Sequence, residues 1–271
     1  MASIEDQPVR ELDGGGRMPV LGLGVWKLSA GKEAEQAVEW ALDAGYRHID
    51  TASMYRNEAS VGAAVRRSGL PREEVFVTTK VLPSRPSVER ELGKSLKRLG
   101  LDYVDLYLIH WPLPFVVARL WRELEALQER GLARAIGVSN FGRDRLAGLL
   151  RNGTRPPAVN QVQFSPFQYR QGVLDYCAQQ GIVFEGYSPL ARGEGLKHPA
   201  VVAIAERLHR TPAQVLLRWS IQRGAVVIPK SSREDRIRSN AQVFDFELPE
   251  PEMRSLDALD RTNRTSRARG F

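Results

Sequence analysis

The amino-acid sequence predicts an α/β fold, a single (β/α)8 TIM barrel that spans residues 1–271 and includes an N-terminal β-hairpin. Eight short apolar runs alternate with segments of helical periodicity, which is typical of a parallel sheet covered by helices. A barrel of this kind commonly needs about 250 residues. The chain has 271 residues, with no Ser-, Gly- or Pro-rich linker to divide them. An open doubly wound sheet is the alternative, and the number of strand-like runs favours the barrel.

The predicted strands are nearly continuous apolar runs. Two short runs flank the glycines at 14–16, and this pattern indicates a β-hairpin between residues 9 and 18. The eight barrel strands follow at 20–23, 48–51, 75–80, 104–110, 133–139, 158–164, 183–187 and 225–230.

Helices are predicted between these strands. Apolar residues recur at helical spacing over 34–42, and Gly45 supplies a C-terminal stop. A second stripe over 88–99 ends just before Gly100. Thr211 and Gln214 form a predicted capping box with Pro at the first helical position.

The stretch after the first strand resembles a dinucleotide-binding loop only in part. Gly22 and Gly24 match the first two glycines of G-x-G-x-x-G, but Lys27 replaces the third. The next 20–30 residues contain no second strand that ends in a lone acid for a ribose. A Rossmann site is therefore not expected, which again favours the barrel.

Composition limits the function classes. The chain is 42% hydrophobic and 26% charged, which excludes a disordered or collagen-like protein. Its net charge of +7 suggests nucleic-acid binding, a solvated basic surface or an anionic cofactor. The 39 basic residues are scattered beside acids without a recognition module, so nucleic acid is not an expected partner.

Cys177 is the single cysteine, which excludes an internal disulfide and a thiolate zinc cluster, and no metal site is expected. A reducing, cytoplasmic compartment is the corresponding prediction. The chain shows no secretory signal and no apolar run of about 20 residues that would span a membrane.

Reactive side chains follow the predicted strands. Asp50, Lys80 and His110 lie at strand ends, and Tyr55 lies in the loop after Asp50. In a parallel barrel these ends meet at one rim, where catalytic residues collect. Each residue alone has an ordinary structural explanation, such as a helix cap or core packing. His48 lies within its strand and is expected to pack rather than react.

Three spaced motifs resemble the signatures of the aldo-keto reductase superfamily, and particularly its small bacterial members. The first is GYRHIDTASMYRNE, which starts at Gly45, and the second is IGVSNF, which starts at Ile136. The third is IPKS, which starts at Ile228, with Arg236 and Asn240 after it. The resemblance implies a (β/α)8 barrel whose bottom is closed by the hairpin.

The resemblance also implies a catalytic tetrad of Asp50, Tyr55, Lys80 and His110. Tyr55, with an ordinary pKa near 10, is the expected proton donor to the alkoxide that hydride transfer leaves. Lys80 is expected to favour the resulting tyrosinate, and Asp50 to compensate the buried ammonium. His110 is expected to hydrogen-bond the substrate oxygen and orient it.

The implied cofactor is NADPH. Its expected contacts comprise an amide-binding set, a stacking aromatic ring, pyrophosphate contacts and a 2′-phosphate and adenine site. Ser139, Asn140 and Gln161 form the amide-binding set, and Tyr187 is the stacking ring. Ser188 and Leu190 are the pyrophosphate contacts. Lys230, Ser231, Arg236 and Asn240 form the 2′-phosphate and adenine site, and Trp26 is also expected to contact the cofactor. Arg offers a phosphate a rigid fork and Lys a point charge.

The expected substrate is a small carbonyl compound. Trp26 and Trp111 are expected to form aromatic walls, and Leu82 to widen the pocket where some relatives carry an aromatic residue. The connection over 111–115 and the tail after Leu259 look short for loops that close over the substrate in this family. The predicted function is NADPH-dependent reduction of aldehydes, small ketones or keto-sugars by a monomer. The alternative is an NADPH-binding regulatory subunit with little turnover.

Overall fold

Eight parallel strands, each paired with the next along the chain, form the centre of the computed structural model, which describes residues 4–152 and 155–260. In chain order they are β3 (Leu23–Gly24), β4 (His48–Asp50), β5 (Phe76–Val81), β6 (Val104–Ile109), β7 (Ala133–Ser139), β8 (Val159–Gln163), β9 (Val183–Tyr187) and β10 (Val226–Ile228). The barrel closes where the Val227 N–H donates to the Val20 carbonyl (2.8 Å) and the Val227 carbonyl accepts from the Gly22 N–H (2.9 Å). The predicted (β/α)8 barrel is confirmed.

The strand boundaries differ from the prediction mainly at this seam. The first strand was expected over 20–23, but regular pairing covers only Leu23–Gly24, and Leu21 makes a single bridge to Val227. The last strand was expected over 225–230 and ends at Ile228, because Pro229 has no N–H to donate. The other six strands differ from the prediction by at most one residue at either end.

Close backbone approach at the seam explains the two glycines. A Cβ atom on Gly24 would lie 2.8 Å from the carbonyl oxygen of Ile228, across the join between β3 and β10. A Cβ atom on Gly22 would lie 2.6 Å from Nδ1 of His48. Barrel closure therefore accounts for Gly24, and the packing of the His48 side chain accounts for Gly22, without a phosphate-binding loop.

The predicted hairpin covers the N-terminal end of the barrel. It consists of the antiparallel strands β1 (Val9–Glu11) and β2 (Arg17–Pro19). Leu12 and Met18 are buried and share one apolar cluster with Phe76 and Val226, the first residues of β5 and β10. Burial of this cluster closes the bottom of the barrel and leaves the opposite end for the site.

Helices follow every barrel strand, with one extra helix after β9 and one at the end. They are α1 (Lys32–Asp43), α2 (Glu58–Arg67), α3 (Val88–Leu99), α4 (Val117–Glu129), α5 (Arg143–Asn152), α6 (Gln171–Gln179), α7 (Pro199–Arg207), α8 (Pro212–Gln222), α9 (Glu234–Ala241) and α10 (Glu250–Asp257). Gly100 ends α3 at φ 64°, and Thr211 and Gln214 form the capping box of α8, as predicted. In the part of the chain that the structure describes, no helix is long and apolar enough to cross a membrane.

Candidate active site

The four reactive residues predicted at strand ends meet at the C-terminal rim of the barrel. Asp50 is the last residue of β4, and Tyr55 ends the 3-10 turn that follows it. Lys80 lies in β5, the neighbour of β4, and His110 follows β6. Because these strands are adjacent and parallel, their ends hold the four side chains within reach of one another.

The Lys80 ammonium organises the group. Its Nζ lies 2.7 Å from each carboxylate oxygen of Asp50, 2.8 Å from the Thr51 carbonyl oxygen and 3.4 Å from the hydroxyl oxygen of Tyr55. Lys80 is 0% exposed and Asp50 is 2% exposed. A buried cation and a buried anion are each costly alone, so the two-oxygen contact is what permits both charges in the interior.

The same contacts set the protonation states. Burial opposes the charge on Lys80, but the facing Asp50 and Tyr55 raise its pKa overall, so the ammonium persists. Burial also raises the pKa of Tyr55 above its ordinary value, although Lys80 acts in the opposite direction. Tyr55 therefore carries its proton at neutral pH and faces a cation that favours the deprotonated form.

His110 is a neutral imidazole beside this pair. Burial, and secondarily the charge on Lys80, lower the pKa of His110 to about 3. Its ring stands edge-on to that of Tyr55, with centroids 5.7 Å apart, and its buried Nδ1 has no hydrogen-bond partner. Such a ring can offer a single N–H to a ligand oxygen without adding a positive charge.

A cavity of about 190 Å³ opens over the tetrad. Two large aromatic side chains stand at its sides, Trp26 at 39% and Trp111 at 46% exposure. The remaining lining comes from strand ends and the loops after them: Gly24, Asp50, Met54, Tyr55, His110, Ser139, Asn140, Gln161, Tyr187, Ser188, Arg192, Ile228 and Lys230. Most of the predicted cofactor and substrate residues therefore line the same cavity as Asp50, Tyr55 and His110. Lys80 is not among the described residues that line it.

The predicted amide-binding residues form a connected set. Ser139 donates to the Gln161 carbonyl (2.9 Å), and Asn140 donates to the Ser139 hydroxyl (3.0 Å) and the His110 carbonyl (3.1 Å). The phenol of Tyr187 donates to Oδ1 of Asn140 at 2.9 Å. These bonds fix the hydroxyl, the amides and the aromatic ring on one side of the cavity.

A second cavity of about 370 Å³ continues outward from Lys230, which lines both. Its lining includes the predicted Leu190, Ser231, Arg236 and Asn240. Asp235 also lines this cavity, but its carboxylate is paired with Arg233 at 2.7 Å. A cation-lined outer cavity next to an amide-lined inner one has the polar groups to hold an extended anionic dinucleotide.

Two predictions about the substrate side fall outside this geometry. Leu82 is half-buried beyond the end of β5 and is not among the described residues that line the inner cavity. Its contact with a substrate therefore stays a prediction. Apart from Asp260, the short tail after Leu259 lies outside the described residues.

Sequence reasoning missed four residues that line the inner cavity, namely Gly24, Ile228, Met54 and Arg192. Met54 is 45% exposed and precedes Tyr55, so its place in the same motif was an available signal. Arg192 stands over the Trp26 ring at 5.8 Å, in a loop where Ala191 and Arg192 both have positive φ. No sequence pattern indicates that loop conformation.

Known proteins are similar in sequence to nearly the whole chain. Residues 20–261 match the model of the aldo/keto reductase family. The chain is 47% identical over 257 residues to glyoxal reductase from Bacillus subtilis (strain 168), with 94% of this chain and 93% of that protein covered. It is also 47% identical over 254 residues to 9,11-endoperoxide prostaglandin H2 reductase from Trypanosoma cruzi (strain CL Brener), with 92% and 90% covered.

The fold agrees with solved structures of similar sequence. A crystal structure of an aldo/keto reductase from Brucella melitensis matches with a TM-score of 0.89 at 41% identity, covering 94% of this chain and 100% of that chain. The family match and these relatives span the barrel and all four reactive residues at its rim. The chain therefore belongs to the aldo/keto reductase family of oxidoreductases.

Proposed function

We propose that this protein is an NADPH-dependent reductase that converts aldehydes, small ketones or keto-sugars to alcohols. One observation carries the proposal: the Tyr55 hydroxyl lies 3.4 Å from the Lys80 ammonium and lines the cavity that also holds His110. Carbonyl reduction requires a proton donor at this kind of position, and family membership supplies the reaction class.

Tyr55 acts as the general acid. Addition of hydride to a carbonyl carbon leaves negative charge on the oxygen, and the phenol neutralises that charge by donating its proton. The phenolate that remains is stabilised by Lys80, whose ammonium is itself held by Asp50. Each unit by which Lys80 lowers the pKa of the Tyr55 phenol corresponds to about 1.4 kcal/mol, or a tenfold change in the ionisation equilibrium.

His110 orients the carbonyl. Because its pKa is lowered to about 3, it presents a neutral N–H across the pH range of most cells. It can hydrogen-bond the carbonyl oxygen without competing with Tyr55 as the acid, which leaves a single proton donor in the site.

NADPH is the proposed cofactor, and when bound it supplies the hydride. Ser139, Asn140 and Gln161 would hold the carboxamide, and the ring of Tyr187 would support the nicotinamide, with Trp26 nearby. Ser188 and Leu190 would contact the pyrophosphate. The adenosine and its 2′-phosphate would lie against Lys230, Ser231, Arg236 and Asn240 in the outer cavity. The two cations there support a preference for NADPH over NADH.

The substrate class is proposed from the cavity and the relatives. The inner cavity is small and has two exposed indole walls, Trp26 and Trp111, which suit compact carbonyl compounds rather than polymers. One relative is named for glyoxal and another for a prostaglandin endoperoxide, and both reactions are reductions.

The direct test is NADPH oxidation measured against aldehydes, α-ketoaldehydes, keto-sugars and steroids. We expect turnover with at least one small aldehyde and a lower rate with NADH. Binding of NADPH, seen as quenching of Trp fluorescence, without turnover of any carbonyl in the panel would instead support a regulatory subunit.

A further inference from the structure

A second group of polar side chains lies inside the barrel beneath the tetrad. Glu185 in β9 and His48 in β4 are both 0% exposed, and the proposed function assigns a role to neither. Glu185 reaches the reactive ion pair through a single intermediate, the side chain of Gln161. The group is therefore coupled to the site, although neither residue lines the inner cavity as the described residues define it.

Gln161 is held by two carboxyl groups. Its Nε2 donates to Oδ2 of Asp50 at 2.8 Å and to Oε2 of Glu185 at 2.9 Å. These two bonds use both amide hydrogens, so the remaining polar atom of the amide is the acceptor Oε1. Glu185 consequently fixes which end of Gln161 is available to a ligand in the cavity.

The contacts of His48 show where the neighbouring proton resides. Its Nδ1 lies 3.3 Å from the carbonyl oxygen of Pro19, which can only accept, so Nδ1 carries hydrogen. In a neutral ring Nε2 is then a bare lone pair, and it faces Oε1 of Glu185 at 3.6 Å. A carboxylate would repel that lone pair, whereas the O–H of a carboxylic acid at Oε1 would be attracted to it.

The surrounding charges also favour a neutral Glu185. Asp50 and Lys80 face it from β4 and β5, and these two already form a balanced pair. Gln161 on β8 is uncharged, and the register partner on β10 is the apolar Val226. An ionised Glu185 would place a second negative charge near one ammonium in a dry interior, which is costly.

The pKa directions agree with this arrangement. Burial, followed by the Asp50 charge, raises the pKa of Glu185 to about 8. Burial lowers the pKa of His48 to about 3, although the Pro19 contact acts in the opposite direction. Both directions favour the uncharged forms of the two groups at neutral pH.

We propose that Glu185 is a positioning residue of the reductase that works as a neutral carboxylic acid. It orients Gln161, and by remaining uncharged it leaves Asp50 as the single negative partner of Lys80. The ammonium can then stabilise the phenolate of Tyr55 during proton donation. This inference rests on the proposed function for its effect on rate, but the location of the proton can be measured without turnover.

Infrared spectroscopy tests the proton directly. At pH 7 we expect the wild-type protein to show a carbonyl stretching band of a protonated carboxyl that disappears in E185Q and titrates near pH 8. The matched control is E58Q, because Glu58 is equally buried but its carboxylate is paired with Arg98 at 2.6 Å. E58Q should leave the band unchanged. A band that is absent from the wild type, or that survives E185Q, overturns the proposal.

The pH profile of reduction tests the effect on rate. The wild-type rate of hydride transfer should fall about tenfold between pH 7 and pH 9, since ionisation near pH 8 removes the neutral form. Burial raises the pKa of Tyr55 above its ordinary value of 10, so ionisation of Tyr55 is expected only at higher pH. In E185Q, whose amide mimics the neutral acid, this decline should be absent.

A second variant separates orientation from charge. E185M removes both the charge and the bond to Gln161, and should lower the rate at pH 7 at least tenfold, a loss that E185Q largely restores. An E185Q profile that keeps the wild-type decline overturns the proposal, as does an E185M rate equal to that of E185Q. If no carbonyl is turned over, the proposed function fails, while the infrared band still decides the state of Glu185.

Discussion

Asp105 and Asp50 are both buried carboxylates held by a cation, but they lie at opposite ends of the barrel. Asp105, near the start of β6, accepts from Arg72 at 2.6 Å and from the Val77 N–H at 2.9 Å, and Arg134 approaches at 3.4 Å. At this end three protein donors surround one carboxylate.

The pair at the other end is arranged differently. Lys80 contacts Asp50 and the Thr51 carbonyl, and its remaining contact is the Tyr55 hydroxyl at the edge of a cavity. A buried ion pair whose donors are all used by the protein stabilises the fold. One that directs a donor at a group facing a cavity can also stabilise a charge that forms there.

The phenol of Tyr55 gives the largest expected effect. Y55F should lower turnover by about 10²- to 10⁴-fold, the usual contribution of a positioned acid. NADPH should still quench Trp fluorescence, because the phenyl ring remains. Steady-state rates and a fluorescence titration measure the two properties separately.

The matched control lies at the closed end. Tyr103 is sandwiched between Arg72 and Arg134, whose guanidinium carbons lie 4.2 and 3.9 Å from its ring. Y103F keeps that ring and should retain wild-type turnover. Retained turnover in Y55F would remove Tyr55 as the proton donor.

Removing the cation at each end sharpens the comparison. K80M should reduce turnover by at least about 10²-fold, as loss of a preorganised electrostatic partner does. It should also lower the free energy of unfolding by about 3 kcal/mol, because Asp50 loses its partner. Chemical denaturation and turnover per folded molecule measure the two losses.

At the closed end the two losses should separate. R72M should destabilise the protein by about 1–3 kcal/mol, since Asp105 keeps Val77 and Arg134 as partners. Its turnover per folded molecule should match the wild type. Equal losses of turnover in R72M and K80M would contradict the assignment of separate roles to the two pairs.

The same contrast explains what the sequence could predict. The strands, the caps of α3 and α8 and the residues at strand ends depend on local patterns, and the structure brings the four reactive residues together. The seam between Gly22 and Val227 joins distant segments, so periodicity could not give the boundaries of the first strand. Arg192 depends on a loop conformation with no sequence signal.

Glu185 was missed for another reason. An acid in the middle of an otherwise apolar run over 183–187 was an available signal, since a strand covered on both faces has little room for charge. Its partners, however, come from β4 and β8, and only the closed barrel brings them together. A buried polar network is a property of the tertiary fold.

Arg236 tests the outer cavity with a smaller expected effect. R236A should weaken binding of NADPH by about 10- to 100-fold, because a charge-assisted hydrogen bond contributes roughly 1.5–3 kcal/mol. Binding of NADH, which lacks the 2′-phosphate, should change far less. The dissociation constants of both cofactors, obtained by fluorescence titration, measure the difference.

The control for Arg236 lies on the same helix. Arg238 is paired with Glu234 at 2.8 Å and is not among the described residues that line the outer cavity. R238A should bind both cofactors as the wild type does. Equal weakening of NADPH and NADH by R236A would exclude a role in holding the 2′-phosphate.

His48 lies between the two ends, against the hairpin carbonyl of Pro19 on one side and Glu185 on the other, and its effect on stability is confined to acid pH. Its pKa is lowered from 6.5 to about 3. The unfolded chain therefore binds a proton below pH 6.5 that the folded chain does not. Stability from neutral His48 is present above pH 6.5 and declines as the pH falls toward 3, by up to about 1.4 kcal/mol per pH unit.

H48Q removes this titration and should flatten the pH dependence of the unfolding free energy between pH 6 and pH 4, measured by urea denaturation. H209Q alters an exposed histidine and should retain the wild-type slope. A wild-type slope in H48Q would mean that His48 is charged in the fold. In that case Glu185 would have to be its carboxylate partner, and the closed and reactive ends would be joined by an ion pair rather than by neutral groups.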